Sequence, residues 1–283
     1  MLFVHWNIDP EIFKASFISL RYYSLCFAMA FICAYVGLKK FFIAEHIPVR
    51  LLDKLTIYVF AGTLIGARLG DCFFYDWAYY KDHLIEIILP FSYSNGNFRV
   101  TGYQGLASHG GAAGILIAVY IYCKVYKQSF LYMLDRLVIA VALAGFFIRT
   151  GNFFNSEIIG RPSALPWAVV FERVDNIPRH PAQLYEALCY LILFFVLMRL
   201  YKKYKSASGF LFGWFLILIF SCRFLLEFVK ENQESFESSM VINMGQLLSI
   251  PFIITGLIFI LRKRKKPSQK AGITSLYAVS DVD

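Results

Sequence analysis

The chain is short of charge: Asp, Glu, Lys and Arg make up 17% of its 283 residues, against 58% that are hydrophobic. A soluble domain carries roughly 25% charged residues, so the shortage argues for an integral membrane protein. Paired cysteine motifs are absent as well. Cys26, Cys33, Cys72, Cys123, Cys189 and Cys222 fall in or beside apolar runs, and none form a C-x-x-C pair. They read as small buried hydrophobes, so no structural disulfide and no metal site are expected. No internal repeat is visible, which removes the inverted-repeat signature of many transporters. The stretch Met1 to Ser16 lacks a basic region, an apolar core and a small-residue cleavage site in sequence. A cleavable signal peptide is therefore not expected, and the first apolar run is expected to stay as a spanning helix.

What the chain does have is long apolar runs. Seven qualify, at 17–38, 51–75, 106–126, 131–150, 183–202, 209–229 and 244–262. Each approaches the roughly 20 residues that a helix needs to cross a bilayer core. The formal charge of +9 raises the question of nucleic acid. The basic residues sit in clusters between runs, however, which points to membrane topology and to no nucleic-acid partner. Lys39, Lys40, Arg50 and Lys54 separate runs one and two, and Lys124 and Lys127 separate three and four. Arg199, Lys202, Lys203 and Lys205 separate five and six, and Arg262 to Lys266 follow run seven. These loops share one side, which the positive-inside rule makes cytoplasmic. The expected fold is thus an all-α integral membrane protein with seven transmembrane helices, N-terminus outside and C-terminus cytoplasmic. The opposite loops, 76–105 and 151–182, are expected to form a small extracytoplasmic head. Residues 1–266 read as one polytopic catalytic domain and 267–283 as a disordered cytoplasmic tail.

The chemistry concentrates in Arg149-Thr-Gly-Asn-Phe-Phe-Asn-Ser-Glu-Ile-Ile-Gly-Arg161, directly after run four. Arg149 alone would read as a snorkelling residue. Asn152, Asn155 and Glu157 beside it point to a polar site suited to an anion. Glu157 is expected to orient an arginine, and the asparagines to bond phosphate or glycerol oxygens. Gly160, Arg161 and Pro162 suggest a rigid turn. Run six carries Arg223 and Glu227 at i, i+4, an intramembrane pair that reads as functional. Arg149 and Arg223 are expected to clamp one phosphate, with Glu227 holding Arg223. His109 opens run three before Gly110 and Gly111, which let the backbone approach a neighbouring helix or a lipid headgroup. A neutral imidazole there is a candidate general base. Arg68 and Asp71, at i, i+3 in run two, read as a structural ion pair. His180 and Glu186 read as scaffold.

These residues resemble the bacterial prolipoprotein diacylglyceryl transferases over nearly the whole chain. The strongest match is RTGNFFNSEIIG at 149–160. It is supported by His-Gly-Gly at 109–111, GARLG at 66–70, RHPAQLYE at 179–186, RFLLEF at 223–228 and MGQLLSIP at 244–251. Tyr23 resembles the family's tyrosine near the start of run one. The chain departs from the family pattern at Ile148, where glycine is usual, at Ile219, where a tyrosine is frequent, and at Lys230, where arginine is frequent. The resemblance implies transfer of the diacylglyceryl group of phosphatidylglycerol to the lipobox cysteine of prolipoprotein signal peptides, releasing glycerol phosphate. It implies a multi-pass protein of the bacterial cytoplasmic (inner) membrane, with no cofactor. It assigns catalytic roles to His109, Arg149, Arg223, Glu227 and Glu157. Substrate contacts fall to Tyr23, Asn152, Asn155, Gly160, Gly110 and Arg161.

Three other classes compete with this reading. A lipid or anion transporter would also use intramembrane arginines, but should show repeats or helices broken in both halves. A membrane scaffold would not need charged and amide groups at one depth on four helices. The third is a different acyl or phospholipid transferase, or an intramembrane protease, and the serine or aspartate arrangements expected of a protease are not visible.

Overall fold

The computed structural model describes residues 3–15, 18–88, 91–94, 97–100, 107–205, 207–231 and 242–262. Among them, six helices are long and apolar enough to cross a membrane. They are α1 (Tyr22–Ala44), α2 (Val49–Phe74), α5 (Ser108–Val125), α6 (Phe130–Asn155), α7 (Ala182–Tyr204) and α9 (Met244–Leu261). A further apolar helix, α8 (Phe210–Leu226), has 17 residues. Helices α3 (Trp77–Tyr80) and α4 (Leu84–Ile88) are single turns. The strands are β1 (Val4–Trp6), β2 (Glu11–Ala15), β3 (Ile18–Arg21), β4 (Phe91–Ser94), β5 (Asn97–Val100), β6 (Val169–Phe171) and β7 (Pro178–Arg179).

Each of the seven apolar runs contains a helix, because apolar surroundings leave backbone N–H and C=O groups no partners but one another. Two boundaries move for identifiable reasons. Run one begins its helix only at Tyr22, since Ile18–Arg21 pairs with β2 in an antiparallel hairpin, Glu11 opposite Arg21 and Lys14 opposite Ser19. Run four continues helically to Asn155, five residues beyond its apolar limit, because polar partners on other elements receive its last side chains.

The chain divides into two compact units. The first combines Met1–Phe41 with Leu134–Gln269. Within it, β1 pairs parallel to β6, and β6 antiparallel to β7. Phe153, Ile159, Val169 and Phe171 form a buried cluster under this small sheet, with Trp6 packed against it. Elsewhere in this unit two buried charges secure the α7–α8 turn. Asp135, fully buried, accepts from the amides of Gly209 at 2.7 Å and Phe212 at 2.8 Å. It therefore caps α8 from another helix. Arg136 donates to the Lys205 carbonyl at 2.8 Å, beside the end of α7.

The second unit holds Phe42–Met133. Its centre is a glycine seam between α2 and α5. Gly62, Gly66 and Gly70 recur every fourth residue and face Gly110, Gly114 and Ala118. A Cβ at Gly66 would lie 2.8 Å from the Gly114 Cα, and one at Gly70 would lie 2.7 Å from the Gly110 Cα. The two backbones touch, the close approach that small residues at four-residue spacing permit. Arg68 donates to the carbonyls of Glu86 at 2.7 Å and Ile87 at 3.3 Å, and stacks under Tyr80. These bonds tie α4 to α2.

Of the loops expected to form a head, residues 77–100 supply α3, α4 and the β4–β5 hairpin of the second unit, while 151–182 supply β6 and β7 of the first. Residues 101–106, most of the loop 230–243, Lys263 to Lys266 and the tail 267–283 lie outside the described residues.

The seam makes a direct prediction. Gly66→Ala places a methyl against backbone and should cost about 1–3 kcal/mol. Gly37→Ala in α1, where a Cβ would meet nothing within 4 Å, should be neutral or stabilising. Thermal unfolding of the detergent-solubilised protein distinguishes them; equal midpoints would rule out the backbone contact.

Candidate active site

Arg149 lies near the end of α6 with its side chain 19% exposed. Its Nε stands 2.8 Å from Glu186 Oε2 on α7. The N–H is not aimed along this contact, so it is an ion pair by distance and not an aligned hydrogen bond. Arg149 Nη1 donates to Asn152 Oδ1 at 3.3 Å, and the Tyr190 side chain lies beside the guanidinium. On α7, Gln183, Glu186 and Tyr190 are spaced three and four apart, so one face of an apolar helix carries all three. Gly145 on α6 makes room for the Tyr190 ring, whose Cγ would lie 2.8 Å from an added Cβ.

The second arginine is held more loosely. Arg223 Nε lies 3.7 Å from Glu227 Oε1, its side chain is 33% exposed, and that nitrogen has no hydrogen-bond partner among the described residues. Glu227 is fixed from the other side. Its Oε2 accepts from Asn243 Nδ2 at 3.2 Å, and Gly245 lets the carboxylate settle on the start of α9. Asn243 and Gln246 form a reciprocal capping box there, and Gln246 reaches back to the Phe224 carbonyl at 3.3 Å. The positive end of a helix dipole therefore faces this carboxylate.

Lys230 joins the two halves. Its Nζ lies 3.3 Å from Glu186 Oε1 and 3.2 Å from Glu227 Oε1. Charges alternate along the chain Arg149–Glu186–Lys230–Glu227–Arg223, as groups removed from water must. Three cations meet two carboxylates, which leaves one net positive charge. Guanidiniums with spare donors are chemically able to bind an oxyanion in a bidentate manner.

The segment after Arg149 is built around Glu157. Ser156 and Ile158 on either side adopt positive φ, 56° and 55°. For a β-branched residue this is strained backbone, of a kind that gathers at functional sites. The exposed Glu157 carboxylate accepts from Asn155 Nδ2 at 2.9 Å and Asn152 Nδ2 at 3.1 Å. The carboxylate on Arg149 is Glu186, where the sequence pointed to Glu157; among the described residues Glu157 connects to Arg149 through Asn152. Tyr23, on α1, lies over Gly151, its Cδ2 2.9 Å from where a Cβ would be.

The structure thus brings Tyr23, Arg149, Asn152, Asn155, Glu157, Arg223 and Glu227 into the first unit. Gly160 and Arg161 sit there too, in a turn. Gly160 makes a bridge to Lys230, and Arg161 Nε donates to the Lys230 carbonyl at 2.9 Å. His109 and Gly110 belong to the second unit, with His109 exposed in the first turn of α5 and Gly110 in the glycine seam. Sequence reasoning left Glu186 as scaffold, noted Lys230 only as a departure from the family pattern, and missed Tyr190 and Asn243. The polar spacing along α7 was the available signal for Glu186 and Tyr190.

Outside the helices, Arg179 braces this turn. It donates to Asp175 through Nη2 at 2.6 Å and Nε at 3.0 Å, and to the Gly160 carbonyl through Nη1 at 3.3 Å. Nη1 also lies 3.1 Å from Glu231 Oε2. These bonds from Arg179 hold the Asp175 carboxyl below the usual carboxylate range.

Six helices long and apolar enough to cross a membrane, with a paired arginine cluster among them, define the class as a multi-pass membrane protein. The chain belongs to the prolipoprotein diacylglyceryl transferase family, which matches residues 10–262. It is 48% identical over 273 residues to the phosphatidylglycerol–prolipoprotein diacylglyceryl transferase of Bacteroides fragilis, covering 95% of this chain and 99% of that one. The proteins of the same name from Tolumonas auensis and Porphyromonas gingivalis are 41% and 40% identical, over 95% and 94% of this chain and 100% and 96% of theirs.

The Asp175–Arg179 pair carries a pH signature. Because the folded pKa of Asp175 is depressed, its stabilisation is complete above the unfolded value of about 3.9 and is lost as pH falls through the lower folded value. Asp175→Asn should therefore unfold at lower temperature than the parent at neutral pH, with the gap closing below about pH 4. Melting curves of both proteins across that range provide the check; a gap that stays constant would contradict the pairing.

Proposed function

We propose that this chain transfers the diacylglyceryl group of phosphatidylglycerol to the thiol of a prolipoprotein lipobox cysteine. The observation that carries the reading is the pair of half-buried guanidiniums, each paired with its own carboxylate, in one net-positive cluster. The names of the relatives supply which phosphate is meant and which acceptor.

The chemistry follows from charge. The thiolate sulfur attacks the glyceryl carbon, a carbon–sulfur bond forms, and the carbon–oxygen bond to phosphate breaks. Glycerol phosphate leaves with the bonding pair, so negative charge grows on its oxygens in the transition state. Arg149 and Arg223 bind those oxygens and stabilise the transition state more than the ground state. Glu186 and Glu227 orient the two arginines. Asn152, Asn155 and Glu157 form a rigid hydrogen-bonding edge beside Arg149, and Tyr23, Gly110, Gly160 and Arg161 complete the substrate contacts. His109 is the candidate base for the thiol, whose ordinary pKa of about 8.5 leaves it mostly protonated at neutral pH. The nucleophile belongs to the substrate, so the step uses no enzyme nucleophile.

The setting proposed is a bacterial cytoplasmic membrane crossed seven times. The seventeen residues of α8 reach about 26 Å, close to the hydrocarbon thickness once the following turn is added. The basic loops, read by the positive-inside rule, support an N-terminus outside, a C-terminus in the cytoplasm and a site at the outer face. Residues 1–266 form the catalytic domain and 267–283 a tail.

Purified protein given phosphatidylglycerol and a one-cysteine lipobox peptide should produce a peptide of higher mass and release glycerol phosphate. Arg149→Ala should slow this by about 100-fold or more, as loss of an oxyanion donor does. A Cys→Ser peptide should remain unmodified. No product from the parent protein, with both substrates accessible, would overturn the assignment and favour transport of an anionic lipid.

A further inference from the structure

Lys230 is the least exposed cation of the cluster, with 7% of its side chain accessible. Its backbone is placed independently of its ammonium group. The Lys230 amide donates to Leu226 at 3.2 Å, its carbonyl accepts from Arg161, and it bridges to Gly160. The ammonium, by contrast, reaches the Oε1 atoms of both glutamates. Glu186 is thus shared between Arg149 and Lys230, and Glu227 between Arg223, Lys230 and Asn243.

Resting on the transferase reading above, we propose that Lys230 is a positioning residue that keeps both arginines available to the phosphate. Without its charge, two carboxylates face two guanidiniums, and the cluster is neutral. Arg223, now 3.7 Å from Glu227, would close onto it as a tight pair. With Lys230 in place one positive charge remains over. A phosphodiester carries one negative charge and the departing monoester gains more, so the surplus favours the leaving group over the bound lipid. Loss of the charge therefore lowers kcat more than it raises KM.

The test is steady-state transfer from phosphatidylglycerol to a lipobox peptide by the parent, Lys230→Met and Lys230→Arg, with unfolding midpoints measured alongside. The expected result is a loss of about tenfold or more in kcat for Lys230→Met, with a smaller change in KM. Lys230→Arg, which keeps the charge but not the shape, should stay within about threefold of the parent. A folded Lys230→Met with parental kcat would overturn the proposal. If Lys230→Met does not fold, Lys230→Arg decides: retained kcat supports the charge role, and a folded but slow Lys230→Arg contradicts it. An inactive parent protein would instead overturn the transferase reading. An active parent with inactive Arg149→Ala and unaffected Lys230→Met would sink this inference alone.

Discussion

The site depends on charges that cannot be buried alone. Removing one ion from water costs several kcal/mol even after relaxation, and that cost is recovered only against a partner in good geometry. Glu186 shows how the first unit meets this constraint. Its carboxylate lies between Arg149 of α6 and Lys230 beyond α8, so one residue of α7 fixes cations from two other elements. Glu227 does the same for Arg223 and Lys230, and the N-terminus of α9 supports it through Asn243. Removing either glutamate leaves three cations facing one carboxylate, whereas removing Lys230 leaves two matched pairs.

Backbone geometry supports the same end. The left-handed residues Ser156 and Ile158 turn the chain sharply after α6, so that Glu157 folds back onto Asn152 and Asn155. Strain of this kind persists only where surrounding bonds fix it. Here the bonds are those of Gln183 to the Glu157 carbonyl and of the Gly160 amide to the His180 carbonyl. Gly160 itself admits no side chain, since a Cβ would press on the Val229 carbonyl at 2.8 Å. In the second unit the constraint is different: α2 and α5 meet backbone to backbone along glycines.

Legibility in the sequence followed the range of the interaction. The helices were readable because an apolar surrounding leaves the backbone few options, and an apolar run advertises itself. Arg223 with Glu227 was readable because both lie one turn apart on one helix. Arg149 with Glu186 was not, because the partners sit on different helices; the nearer carboxylate, Glu157, looked like the natural choice and takes amide donors instead. Lys230 was noticed only as a departure from a family pattern, since one of the two carboxylates its ammonium reaches, Glu186, lies on another helix. The short strands β6 and β7 were likewise hidden in a proline-rich loop, where pairing is decided by distant residues.

The central claim is that Arg149, held by Glu186, binds the substrate phosphate. It is tested most directly by calorimetric titration of short-chain phosphatidylglycerol into the parent protein, Arg149→Gln and Glu186→Gln. The account predicts affinity reduced about tenfold or more by Arg149→Gln, and by a smaller factor when Glu186→Gln releases the arginine. Unchanged affinity in a folded Arg149→Gln protein would contradict it.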